Sequence, residues 1–174
     1  MRHERQVELL TRVAASGDHL AGLHAPASLR HAASAYTDPA RLDRERRLLF
    51  REGPVFFALS ASLPHTGDHV AASVGGIPIV VVRQSDGSLR ALINACTHRG
   101  APVVTPGGRG DAARSFTCPY HGWVYGTDGA LRARPLSAGA FDDMEDDCDL
   151  RRVAVAERHG LIFVRAGGTD PIDV

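Results

Sequence analysis

Two short stretches of the chain place soft-metal ligands close together. In "NACTHRGAP" (94–102) Cys96 and His98 are one residue apart, and in "TCPYHGWVYG" (117–126) Cys118 and His121 are separated by two; 19 residues lie between the halves. Two thiolates and two imidazoles suit either of two metal chemistries. They could hold one tetrahedral zinc in a structural loop. They could also hold a [2Fe–2S] cluster, with thiolates on one iron and imidazoles on the other. The residues themselves lean toward the cluster. A Cys-x-His step is tight for two ligands of one zinc, since structural zinc loops more often space their ligands by two to four residues. Gly100 and Gly122 let backbone amides approach bridging sulfides, and Pro102 and Pro119 stiffen the two loops.

The elements around these loops read as short strands. Residues 1–15 carry Val7, Leu10, Val13 and Ala14 at helical spacing, and 16–36 have the composition of a linker. In "TDPARLDRERRLLF" Asp38 is an expected N-cap and Pro39 the first helical residue, predicting a helix over 39–51 that ends at Gly53-Pro54. Beyond Gly53 come nine β-prone runs: "VFFALS", "HVAASV", "IPIVVVR", "LRALINA", "RSFTC", "WVYG", "ALRAR", "VAVAER" and "LIFVRA". The Asp-Gly turns in "SDGS" (85–88) and "TDGA" (127–130) are hairpin signals. The expected organisation is a helical segment and linker over 1–53, a mainly β domain over 54–166, built as an antiparallel sandwich or small barrel, and a truncated linker over 167–174.

Composition narrows the setting. The chain has 174 residues, 44% hydrophobic and 23% charged, with 20 basic residues balancing 20 acidic ones. That is an ordinary globular balance with enough apolar residues for a core. It gives no field for nucleic acid or a membrane surface. No stretch approaches the ~20 apolar residues of a membrane span, and "MRHERQVELL" lacks the apolar core of a secretory signal. The expected location is the cytoplasm, where thiols stay reduced and spaced Cys and His read as metal ligands.

The motifs "CTHRGA" and "CPYHGWVYGTDGAL" resemble the two cluster-binding boxes of Rieske proteins. More narrowly, the chain resembles the N-terminal domain of the alpha subunit of Rieske non-haem iron ring-hydroxylating oxygenases. "YTDPARLDRERRLLF", "LPHTGDHVAASVGGIPIVVVRQSDGSLRALINACTHRGA" and "HGLIFVRA" follow that family's order, so the likeness covers roughly 36–166. It implies a Rieske-type fold with two cluster-binding loops, in which Cys96 and Cys118 ligate one iron and His98 and His121 the other. It implies single-electron transfer from a reductase or ferredoxin to a mononuclear iron, held by two His and a carboxylate, that hydroxylates aromatic rings. In the family that iron lies in a second domain, and electrons cross to the adjacent subunit of a homotrimer. No such iron site is legible in these residues, so the polypeptide alone is not expected to hydroxylate. Rieske subunits of cytochrome bc complexes usually carry an extra cysteine in each loop and a serine after His-Gly; here those positions are Ala101, Tyr120 and Trp123. Fewer donors to the cluster sulfurs imply a potential at the low end of the Rieske range, on the order of −150 mV.

Other residues are assigned quieter roles. Trp123 and Tyr125 are expected as wall and core residues beneath the site, Arg99 as a brace for its loop and Cys148 as a spare thiol far from the boxes. The six acids between Asp142 and Asp149 form a solvated loop, or alternatively a docking surface for a reductase. His3, His19, His24, His31, His65, His69 and His159 show no ligand spacing. Two rival functions stand beside the oxygenase reading: a free-standing Rieske ferredoxin-type carrier, and a zinc-stabilised binding module without redox chemistry.

Overall fold

The computed structural model describes residues 3–15, 27–135 and 148–174. The chain forms two compact units, 1–38 and 39–174. In the first, α1 (His3–Ala15) confirms the N-terminal helix, with none of its residues buried. A single turn, α2 (Ser34–Thr37), stands at the end of this unit. Of the linker expected over 16–36, residues 16–26 lie outside the described residues, as do 142–147 of the acidic stretch 142–149.

The second unit opens with α3 (Pro39–Arg47), which runs into a π-helical turn at Leu48–Glu52 and stops at Gly53. Helical structure thus spans the predicted 39–51, but its last turn widens. The turn anchors the helix to the β domain: the Gly167 amide donates to the Arg51 carbonyl at 2.7 Å, and Arg51 Nε to the Gly75 carbonyl at 3.1 Å. Residues 39–53 therefore pack with the strands, whereas composition had grouped them with the N-terminal segment.

Ten strands follow. β1 (Val55–Leu59), β2 (His69–Val74), β3 (Ile77–Arg83), β4 (Leu89–Ile93), β5 (Arg109–Gly110), β9 (Arg152–Arg158) and β10 (Leu161–Arg165) form an antiparallel sheet ordered β1-β10-β9-β4-β3-β2-β5. β6 (Ser115–Thr117), β7 (Val124–Gly126) and β8 (Leu131–Ala133) form a second sheet. All nine β-prone runs are strands, and among the described residues the two-residue β5 is the one strand not expected. β1 also touches β2, so the large sheet curls into a half-barrel. The architecture is mainly β, as expected.

The run "IPIVVVR" explains the layering. Its residues Ile79 to Val82 are wholly buried because β3 is covered on both faces. Alternate side chains enter different cores. Ile79 and Val81 join Ala91, Ile162 and Val164 inside the curl. Val80 and Val82 join Leu92, Phe116, Trp123 and Tyr125 between the two sheets. Cys96 and Cys118 belong to this second core. No described helix is long and apolar enough to cross a membrane.

Candidate metal centre

Two loops carry the four predicted ligands, one from each sheet. The first leaves β4 and the second joins β6 to β7. Their backbones close in the same way. The Cys96 amide donates to the Ala101 carbonyl at 2.8 Å and the Gly100 amide to the Cys96 carbonyl at 2.7 Å. In the second loop the Cys118 amide donates to Trp123 at 2.8 Å and the Gly122 amide to Cys118 at 3.1 Å. Each glycine adopts a left-handed conformation, φ 74° and 71°, which an L side chain rarely tolerates. The histidines occupy different offsets in this common frame, two residues after the first cysteine and three after the second.

The first loop is braced from below by Asn94, which is 2% exposed. Its carboxamide oxygen accepts the Val103 and Val104 amides at 3.0 and 2.9 Å, and its amide nitrogen donates to the Val104 carbonyl at 2.7 Å. Arg99, expected to do this, is exposed and makes no hydrogen bond or ion pair with a described residue; an internal carboxamide satisfies buried backbone groups that an arginine at the loop tip cannot reach.

The donors meet in like pairs. The buried Cys96 and Cys118 thiols are neighbours close enough to interact. The imidazoles of His98 and His121 lie side by side, ring centroids 4.6 Å apart. Trp123 stacks on His98 at 5.1 Å with planes 9° apart, and Tyr120 lies 3.8 Å from the ring of His121. The Nδ1 atoms of both histidines are buried, and that of His121 makes no hydrogen bond. Among the described residues no three His, Cys, Asp or Glu side chains converge as a single ion would require. A sulfur pair and a nitrogen pair suit two separate iron atoms, and so the residues present fit a [2Fe–2S] cluster better than one zinc.

The electrostatics follow from burial. Desolvation pushes the Cys96 thiol up, and the adjacent Cys118 adds to the shift; the Tyr125 hydroxyl and the His98 amide, both donating toward the sulfur, act against it. Desolvation lowers the His98 pKa, aided by His121 and Arg99. The Tyr125 phenol is pushed well above its ordinary value by burial and by Cys96, and it remains a proton donor at physiological pH.

Tyr125 is the centre of a network that spacing did not reveal. Its hydroxyl lies 3.1 Å from Cys96 Sγ and 2.9 Å from Thr97 Oγ1, and it accepts the Thr97 amide at 3.2 Å. Thr97 Oγ1 donates to the Cys148 carbonyl at 2.7 Å. Cys148 is therefore not remote from the boxes: it is buried in the same core, and its backbone touches the first loop. The remaining described histidines stay outside the centre. His69, for example, packs edge-on against Phe116 at 5.2 Å and hydrogen-bonds the Gly67 carbonyl at 3.0 Å.

The profile of the Rieske [2Fe-2S] domain matches residues 53–156. This chain belongs to the Rieske [2Fe-2S] domain family. A Rieske domain carries a Rieske-type [2Fe–2S] cluster. Among curated relatives, the anthranilate 1,2-dioxygenase large subunit of Burkholderia cepacia is 39% identical over 137 residues, covering 74% of this chain and 32% of its own length. The biphenyl 2,3-dioxygenase subunit alpha of Rhodococcus jostii is 35% identical over 129 residues, with 74% and 28% covered. Among solved structures, the Rieske domain is similar to naphthalene 1,2-dioxygenase (TM-score 0.65, 32% identity, 71% of this chain and 28% of that one). It is also similar to the quaternary ammonium Rieske monooxygenase CntA (TM-score 0.73, 26% identity, 80% and 39%). The chain thus spans about a third of the length of these relatives.

Proposed function

We propose that Cys96 and Cys118 hold one iron of the Rieske cluster and His98 and His121 the other, and that the domain relays single electrons within a ring-hydroxylating oxygenase. The observation that carries this reading is the pairing of donors, sulfur with sulfur and imidazole with imidazole, at the meeting of two loops closed by the same hydrogen bonds. Bound there, the cluster supplies storage and transfer of one electron. The protein residues do the rest. Gly100 and Gly122 set the turns that bring each cysteine inward. Trp123 fixes the plane of His98 by stacking. Tyr125 offers its phenolic proton to Cys96.

The sulfur side is sealed in the core, while His98 and His121 are only half-buried. Electrons therefore enter and leave by the imidazole edge, where a partner can approach. The donor is a reductase or ferredoxin. The acceptor is a mononuclear non-haem iron oxygenase centre acting on an aromatic ring, reached across subunits of a homotrimer in the cytoplasm.

Electron paramagnetic resonance of the dithionite-reduced chain, with iron and acid-labile sulfide assayed on the same sample, tests the reading. A rhombic signal of low average g value with two irons and two sulfides per chain is expected. One zinc without sulfide would replace the redox reading by a structural metal loop.

A further inference from the structure

We infer that Thr97 is a positioning residue that competes with the Cys96 sulfur for the single phenolic proton of Tyr125, and so sets how strongly that proton stabilises the reduced cluster. The inference rests on the ligand assignment proposed above and extends it to a residue that holds no metal.

It follows from counting protons in the network. A carbonyl only accepts, so the short contact between Thr97 Oγ1 and the Cys148 carbonyl consumes the one hydroxyl proton of Thr97. Toward Tyr125, 2.9 Å away, Thr97 Oγ1 can then only accept. A metal-bound cysteine is a thiolate and also only accepts. The amide of Thr97 already donates to the phenolic oxygen, so it supplies nothing to the sulfur. One phenolic proton thus faces two acceptors, Thr97 Oγ1 at 2.9 Å and Cys96 Sγ at 3.1 Å.

Adding an electron makes the cluster as a whole more negative, and a hydrogen bond donated to one of its thiolate ligands stabilises the reduced form. Any share of the proton held by Thr97 is withheld from that task. The Cys148 carbonyl is the fixed end of the chain of bonds: by occupying the hydroxyl proton of Thr97, it keeps that oxygen an acceptor. Because the Thr97 backbone amide holds the phenolic oxygen independently of the side chain, the hydroxyl can be removed while Tyr125 stays in place.

The test is the midpoint potential of the cluster in the full chain, read by the rhombic signal during redox titration. Thr97→Val is expected to shift the reduction equilibrium several-fold toward the reduced form, on a scale where tenfold is 59 mV for one electron. Thr97→Ser, which keeps the hydroxyl, is expected to match the parent. Tyr125→Phe is expected to shift the equilibrium the other way, and adding Thr97→Val to it should change nothing further. An unchanged or lowered potential in Thr97→Val, or an equal shift without the Tyr125 hydroxyl, would overturn the inference. If the valine variant does not assemble, Thr97→Ala repeats the measurement; failure of both variants would make Thr97 a folding requirement and also overturn it. A parent chain without the rhombic signal would instead overturn the ligand assignment itself.

Discussion

Gly100 and Gly122 are equivalent: each donates its amide to the carbonyl of the cysteine four residues before it, at 2.7 and 3.1 Å, from a left-handed conformation. Their surroundings differ. A Cβ on Gly100 would meet nothing within 4 Å, whereas one on Gly122 would lie 3.3 Å from Pro135 Cγ. Both alanine variants incur the left-handed strain of about 1–2 kcal/mol. Gly122→Ala adds a steric cost, so it should lower the melting temperature and the bound iron more than Gly100→Ala. Equal effects would mean that the backbone conformation alone matters.

The four proposed ligands separate sharply from the third cysteine. Cys118→Ser and His121→Ala should each abolish the rhombic signal and reduce iron and sulfide together. Cys148→Ser should retain both, with a stability loss of about 1–2 kcal/mol for a hydroxyl placed in an apolar core. Loss of the cluster in Cys148→Ser would overturn this division.

Asn94 satisfies three backbone groups that water does not reach. Asn94→Ala strands two amides and a carbonyl, at a cost on the order of 3–5 kcal/mol. Asn94→Asp retains acceptors for the two amides but sets a desolvated carboxyl oxygen against the Val104 carbonyl, so it should be less stable than the parent at pH 7, and the gap should narrow in acid, where the protonated carboxyl regains a donor.

Acid sensitivity should be traceable to one ion pair. Arg83 clasps Glu157 through two bonds of 2.6 and 2.9 Å and also donates to the Leu63 carbonyl at 2.9 Å. The guanidinium holds the Glu157 carboxyl down to about 2. A carboxyl with a lowered folded pKa stabilises the fold above its unfolded value near 4.3, and that stabilisation is lost as pH falls toward 2. Solvent still reaches Glu157, which limits the contribution to about 1–2 kcal/mol. Glu157→Gln should therefore be less stable than the parent at pH 7 and should lose less stability between pH 5 and pH 2. Parallel acid limbs in chemical denaturation would exclude Glu157 as the sensor.

Much of this architecture was legible because its signals are local. Alternating or continuous apolar runs, two of the turns between them marked by Asp-Gly, identified nine strands, and Cys-x-His with Cys-x-x-His marked the centre. What escaped depends on contacts between distant segments. Nothing near Asn94 in the sequence says that its carboxamide will meet Val103 and Val104 across a loop. Tyr125 read as a core aromatic, and its hydroxyl gained a role only when β7 was laid beneath the first loop. Cys148 looked remote because acids precede it, yet the return of the chain into β9 carries its carbonyl to Thr97. β5 was too short for any periodicity, and the π-helical turn at 48–52 owes its shape to packing against the turns at Gly75 and Gly167.

The two loops belong to different sheets, and the smaller sheet consists of three strands of three residues each. A cluster held by the four proposed ligands would therefore join two layers that share one core. Its removal should show as a lower melting temperature and faster proteolysis at the small sheet, beside the core that holds the buried Trp123 and Tyr125.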